Sequence, residues 1–501
     1  MTALPGRPAK VLLELDLTEL PLDPDPDDPF ARLRARGRHQ LRPTLRALHE
    51  AAADPHVVGL VAKIGAGLPW AAMQELRLGV QAFAKPTVAW AETFGEGSGD
   101  MAGYVLATAF DTIWLQPGGG LGLLGVGIET TFLRGVLDKL GVEPQLEQRH
   151  EYKNAADRIM RTGFTDAHRE SSDRLAASIF DDAIAAISAG RRLEPARVRE
   201  LVDTGPRTAV EAHAAGLVDQ LGYRDQVYAV ARAESGVAPE LLFADRWHPR
   251  RRPSVPARRK GHVALVRVHG AIAGGRSKRG PMGRQVGSDS VGAALRAATA
   301  DEHAHAVVLH IDSPGGSAVA SDTIWREVCR VREAGKPVIV SMGTAAASGG
   351  YYIACPADVI VALPATLTGS IGVFGGKVVV SELLDRIGAG TGAVEHGKRA
   401  LMFSPRRGFD DGERERLNAS MDAIYTGFVA KVADGRGRPF SEIEALARGR
   451  VWTGSDALAN GLVDELGGLR DAARIARRRA GLRDDAPVRH AIHVPPLARL
   501  G

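Results

Sequence analysis

The chain has 501 residues, 45% of them hydrophobic and 25% charged, with a net charge of +5 and a mean hydropathy of −0.10. That length exceeds one ordinary core, so two or three globular domains are expected, and so small a net charge does not by itself name a nucleic-acid partner. Two cysteines, Cys329 and Cys355, form no spaced disulfide framework and are compatible with a reducing compartment.

The first residues, Met1 to Pro8, carry no apolar signal core, and no run of roughly 18 apolar residues follows anywhere. The expected location is the cytoplasm or the inner face of the cell membrane. Asp23-Pro24-Asp25-Pro26-Asp27-Asp28 is acidic but broken by proline, which reads as a solvated loop rather than a calcium site. Short apolar strands then alternate with helical stretches: strand Val57 to Ile64, helix near Ala71 to Ala84, strand Thr87 to Ala91, helix from about Asp100, strand Thr112 to Leu115. Alternation at this spacing predicts parallel strands with helical crossovers, an α/β class. Gly120-Leu121-Gly122-Leu123-Leu124-Gly125 satisfies G-x-G-x-x-G after a strand. A dinucleotide site would also need a helix next and an acidic residue about twenty positions on, so no cofactor is expected, and no Cys/His cluster has metal spacing.

The chain repeats itself. Gly216-Leu217-Val218-Asp219-Gln220-Leu221-Gly222 recurs as Gly461-Leu462-Val463-Asp464-Glu465-Leu466-Gly467, Gly163-Phe164 as Gly408-Phe409, Leu137-Asp138 as Leu384-Asp385, and Lys85-Pro86 as Lys336-Pro337. A period this long is a duplicated domain, not a solenoid. Between the copies, Trp247 to Lys260 is rich in proline and arginine and reads as a solvated basic linker. The expected organisation is two α/β domains, residues 1–240 and 262–501, joined by a linker at 241–261.

Chemistry concentrates in the second copy. The strand Ala306 to Ile311 runs into Asp312-Ser313-Pro314-Gly315-Gly316-Ser317, and the strand Pro337 to Met342 leads to Ala346-Ala347-Ser348-Gly349-Gly350-Tyr351-Tyr352. Glycine pairs let backbone N–H groups approach a substrate closely, and a serine among such donors has the surroundings of an acyl-transfer nucleophile. In the repeat, Ser348 aligns with Met101, Ser370 of Thr368-Gly369-Ser370-Ile371-Gly372 with Leu123, and Asp312 to Gly316 with Lys63 to Gly67. One nucleophile remains, in the second copy.

That serine needs a base. His303, His305, His310 and His396 lie in no motif that pairs with Ser348, and each reads as a structural or surface histidine. A lysine serves if burial lowers its pKa towards neutrality. Only eleven lysines stand beside 53 arginines, and Lys153, in His150-Glu151-Tyr152-Lys153-Asn154-Ala155-Ala156, is flanked by an aromatic and small residues. Lys398, in His396-Gly397-Lys398-Arg399, occupies the duplicated position. It could act in a neighbouring subunit or be a surface relic.

Together, Asp-Ser-Pro-Gly-Gly, Ala-Ser-Gly-Gly-Tyr-Tyr, Thr-Gly-Ser-Ile-Gly-Val and the Tyr-Lys-Asn-Ala of the first copy make the chain resemble the long, duplicated form of the signal peptide peptidase A (protease IV) family. These are Ser/Lys peptidases of the ClpP/crotonase superfamily, and the similarity runs from about residue 10 to about 480. The resemblance implies two tandem ClpP/crotonase-like domains, the N-terminal one supplying the lysine and the C-terminal one the serine and oxyanion hole. It implies Ser348 as nucleophile, Lys153 as general base, Ser370 as the residue orienting that lysine, and Gly316 and Gly349 as oxyanion donors. It also implies a serine endopeptidase acting through an acyl-enzyme on remnant signal peptides or other hydrophobic peptides. A homo-oligomer, a tetramer in the duplicated form, is expected. The membrane anchor of many members is missing from the sequence, so peripheral membrane contact stays open. Two rival readings remain: an acyl-CoA hydratase or isomerase, whose chemistry normally uses acidic residues, and a catalytically silent scaffold.

Overall fold

The computed structural model describes residues 10–18, 40–65, 67–234, 236, 238–247, 261–280 and 283–491. The amino-terminal Met1 to Pro8, the acidic Asp23 to Asp28 and linker residues 248–260 lie outside them. By their contacts the described residues form two compact units, one drawn from 1–126 and 179–258, the other from 127–178 and 259–501.

The first unit is built on a six-stranded sheet in the order Gln220–Leu221, Thr112–Leu115, Thr87–Ala91, Val57–Ile64, Val11–Leu17, Glu240–Phe243. Every neighbouring pair is parallel, so each connection needs a crossover. Helices Leu41–Ala52, Trp70–Gln81 and Met101–Ala107 supply three, burying Leu48, Leu76 and Leu106. Residues 241–243, read from sequence as the start of the linker, are instead an edge strand on Val11–Leu17. Leu241, Leu242 and Phe243 give that segment the apolar side chains a sheet edge can bury.

In the second unit the strands Glu465–Leu466, Val359–Ala362, Val338–Ala347, Ala304–Ser313, His262–His269 and Val488–His490 follow the same order, again all parallel. The α/β class and the duplication are therefore both present, and the repeated residues make repeated contacts. Tyr104 donates to the carbonyl of Leu217 at 2.6 Å, and Tyr351 to that of Leu462 at 2.8 Å. Asp111 accepts from the Thr87 amide at 2.9 Å and Asp358 from that of Val338 at 2.8 Å. Lys85 reaches the carbonyl of Ala51, and Lys336 those of Ala298 and Asp301. Gly216 and Gly461 share a left-handed turn, φ 73° and 74°, which glycine alone adopts at no steric cost.

Two features of the second unit position the site. Strand Val338–Ala347 continues past its first neighbour and pairs, through Ala345 to Ala347, with Leu367–Gly369. Strand Glu143–Gln148, part of the first repeat in sequence, pairs antiparallel with Phe374–Val379. That ladder carries residues 127–178, and with them Lys153, into the unit that holds Ser348.

Candidate active site

Ser348 sits where strand Val338–Ala347 ends and the six-residue helix Gly349–Ala354 begins. Its φ of 54° and ψ of −118° are costly for a residue with a Cβ, about 1–3 kcal/mol, and persist only where the surroundings fix them. Here the Ser348 amide donates to the carbonyl of Gly369 at 2.9 Å, and the Ser348 carbonyl accepts from Tyr352 at 2.9 Å. Held in this way at the strand end, Ser348 lines a small cavity.

The loop after strand Ala304–Ser313 lies beside it. Ile272 donates to the carbonyl of Gly315 and accepts from the amide of Ser317, bridging to Gly316 in parallel fashion. In that pattern the amide of Gly316 points away from Ile272. A side chain at Gly316 would collide with the Ile272 carbonyl, its Cβ only 2.1 Å away. Gly349 lies close by, since a Cβ built on it would stand 3.3 Å from the Gly316 nitrogen. Gly316 and Gly349 therefore both line the cavity beside Ser348.

Lys153 enters from the segment after Glu143–Gln148. Its Nζ lies 3.2 Å from Ser348 Oγ, 2.8 Å from Ser370 Oγ and 2.7 Å from the Ser370 carbonyl. The residue is 3% exposed, and burial pulls its pKa down from the ordinary 10.5 to about 7. Charge is disfavoured where water cannot reach it. Ser370 itself is held at φ 52° by donating its amide to the carbonyl of Arg450 at 2.7 Å. The structure thus brings together Ser348, Lys153, Ser370, Gly316 and Gly349. Lys398 and His396 are exposed in a loop, and His310 is buried against Ser341. In the first unit the counterparts of Ser348 and Ser370, Met101 and Leu123, are buried apolar groups. The glycine-rich Gly120–Leu121 forms a small strand with Arg207–Thr208, and the next helix is Arg134–Leu140, so the dinucleotide pattern has no helix to open.

Sequence reasoning missed two groups of residues. A cavity of about 60 Å³ adjoins Ser348, walled by Tyr352, Val373, Phe374, Ile424 and Phe428 with Ser321 alongside. The Tyr352 and Phe428 rings pack at a tilt of 41° with centroids 4.6 Å apart. Ile424 and Phe428 come from the long helix Asp411–Arg436, where their spacing reads as an ordinary buried stripe. The other group is Arg448 to Arg450: a Cβ on Gly449 would fall 2.5 Å from Lys153 Cβ. Glycine between two arginines signals a loop and nothing more.

Comparison with known proteins gives the family. Residues 81–238 and 330–483 match the sequence model of Peptidase family S49. The chain is 33% identical over 461 residues to Protease 4 of Salmonella typhi, covering 88% of this chain and 72% of that protein. It is 30% identical over 469 residues to Protease 4 of Haemophilus influenzae, covering 88% and 73%. Against the chloroplastic serine protease SPPA of Arabidopsis thaliana it is 30% identical over 452 residues, covering 86% and 64%. With a family match in both copies and relatives named as proteases along most of its length, the chain belongs to peptidase family S49 and is a serine peptidase.

Proposed function

We propose that the chain is a serine endopeptidase working through a Ser348–Lys153 dyad, with small or apolar side chains beside the cleaved bond. The observation that carries this reading is the 3.2 Å approach of a buried lysine amine to Ser348 Oγ. With its pKa near 7, the amine is uncharged in a large share of molecules at neutral pH and can accept a proton. As Ser348 Oγ attacks the peptide carbonyl, Lys153 takes the hydroxyl proton, and the developing oxyanion accepts from the amides of Gly316 and Gly349. The Lys153 ammonium then protonates the departing amine, leaving an ester on Ser348. Water attacks that ester by the same route, with Lys153 again as base. Ser370 Oγ and its carbonyl hold the amine in line.

The apolar wall of Tyr352, Ile424 and Phe428 suits remnant signal peptides or other hydrophobic peptides. Among the described residues no helix is long and apolar enough to cross a membrane; action in the cytoplasm or at the inner membrane face, by an oligomer of identical chains, completes the reading. A fluorophosphonate probe tests it. Wild-type and Lys398→Ala protein should label at Ser348, while Ser348→Ala and Lys153→Ala should not. Labelling that survives Lys153→Ala refutes the dyad.

A further inference from the structure

Lys153 ends a flexible four-carbon stem, so something must fix where that stem begins. The loop Arg448 to Arg450 touches both the lysine segment and the Ser370 loop. The Tyr152 amide donates to the carbonyl of Arg448 at 3.2 Å, and Gly449 packs directly on the Lys153 backbone. Gly449 donates to the carbonyl of Ile371 at 2.8 Å, and the carbonyl of Arg450 accepts from Ser370 at 2.7 Å. One short loop therefore sets the distance between the lysine and the serine that orients it. Its backbone is strained, with Arg448 at φ 48° and, opposite, His150 at φ 62°. Non-glycine residues stay in that region only where other contacts hold them.

The holding contact is a fork. Arg448 Nε and Nη2 donate to the two oxygens of Glu151, each at 2.9 Å, and this keeps the Glu151 carboxyl below its ordinary range. Bidentate geometry fixes orientation as well as distance. We infer that Glu151 and Arg448 are positioning residues for the base: their pair locks the Arg448–Arg450 loop onto the lysine segment, and that loop sets the reach of Nζ to Ser348. The pair lies on the rim, both partners about two-fifths exposed at 42% and 38%, whereas the amine it aims is buried. The other charged groups facing this loop are Glu444, 3.4 Å from Arg448, and Glu170, which pairs with Arg450 at 2.8 Å and accepts from Tyr152 at 2.8 Å. His150 stands 3.9 Å from Glu444.

This inference rests on the dyad reading, and the test separates the two. The rate of fluorophosphonate acylation at Ser348 is measured against pH for wild type, Glu151→Gln, Arg448→Gly, Arg448→Lys and Lys153→Ala, with peptide kcat and KM alongside. Arg448→Gly removes the fork while relieving the backbone strain; Glu151→Gln changes only an exposed carboxylate, so it carries the test if the glycine variant fails to fold. Both should slow acylation by roughly 3- to 30-fold, since small displacements of a reacting group are costly. The pH midpoint should move upward as the amine gains water, KM should stay near wild type, and Arg448→Lys should recover part of the rate. Wild-type rate and midpoint in both variants, or a loss confined to KM, overturns the inference while Lys153→Ala remains silent. Normal labelling of Lys153→Ala overturns the dyad itself.

Discussion

Replacing Lys153 by methionine measures what its burial costs the fold. The folded chain releases the lysine proton near pH 7, whereas an unfolded lysine keeps it to about 10.5. Between those values the unfolded state binds more protons, so stability rises with pH across that window. Below it both states are protonated and the full cost is present; above it the cost disappears. Each pH unit inside the window corresponds to about 1.4 kcal/mol. From about pH 7 to about pH 9.5, wild type should therefore gain about 3 kcal/mol relative to Lys153→Met, allowing for the rounded ends of the two titrations. Methionine fills a similar volume but leaves the hydroxyl and carbonyl of Ser370 without the amine they contact, an offset of about 1–3 kcal/mol that does not vary with pH. Urea unfolding of both proteins at the two pH values gives the difference, and every other titrating group cancels. A gap that stays constant between the two pH values would refute the claim that the folded lysine is held neutral.

Two further outcomes follow from the same geometry. Ser370→Ala removes one of the contacts that aim Nζ while leaving its carbonyl contact, so acylation should fall by about 10-fold with KM little changed; an unchanged rate by stopped-flow labelling would contradict the orienting role. Phe428→Leu shortens one wall of the cavity beside Ser348 at a stability cost of about 1 kcal/mol. Turnover of peptides with bulkier side chains at the cleaved bond should rise several-fold relative to alanine in a matched peptide series, and an unaltered profile would mean the substrate side chain lies elsewhere.

Much of the site was legible because its chemistry is local. Ser348, the glycines at 315, 316, 349 and 350, and the Ser370 loop each stand at a strand end, where short apolar runs and glycine pairs mark the turn. The strand Val57–Ile64 matches the sequence expectation at both ends, and Lys85 and Lys336 repeat because both meet carbonyls at the end of an earlier helix, Leu41–Ala52 and Ser288–Ala300. What stayed hidden depends on pairing between distant segments. The ladder between Glu143–Gln148 and Phe374–Val379 joins residues more than two hundred positions apart, and its alternation is too weak to announce a partner. Arg448 acquires its role only because Glu151 lies opposite. Leu241 to Phe243 looked like linker because the arginines and prolines that follow dominate the window.

The pH dependence of Ser348 acylation by a fluorophosphonate, measured in wild-type protein, tests the dyad most directly. The rate should climb with pH through a midpoint near 7, the value to which burial draws the Lys153 amine, and that limb should vanish in Lys153→Ala. A limb that first appears near the ordinary lysine value of 10.5, or one that persists without Lys153, would contradict a neutral lysine as the base.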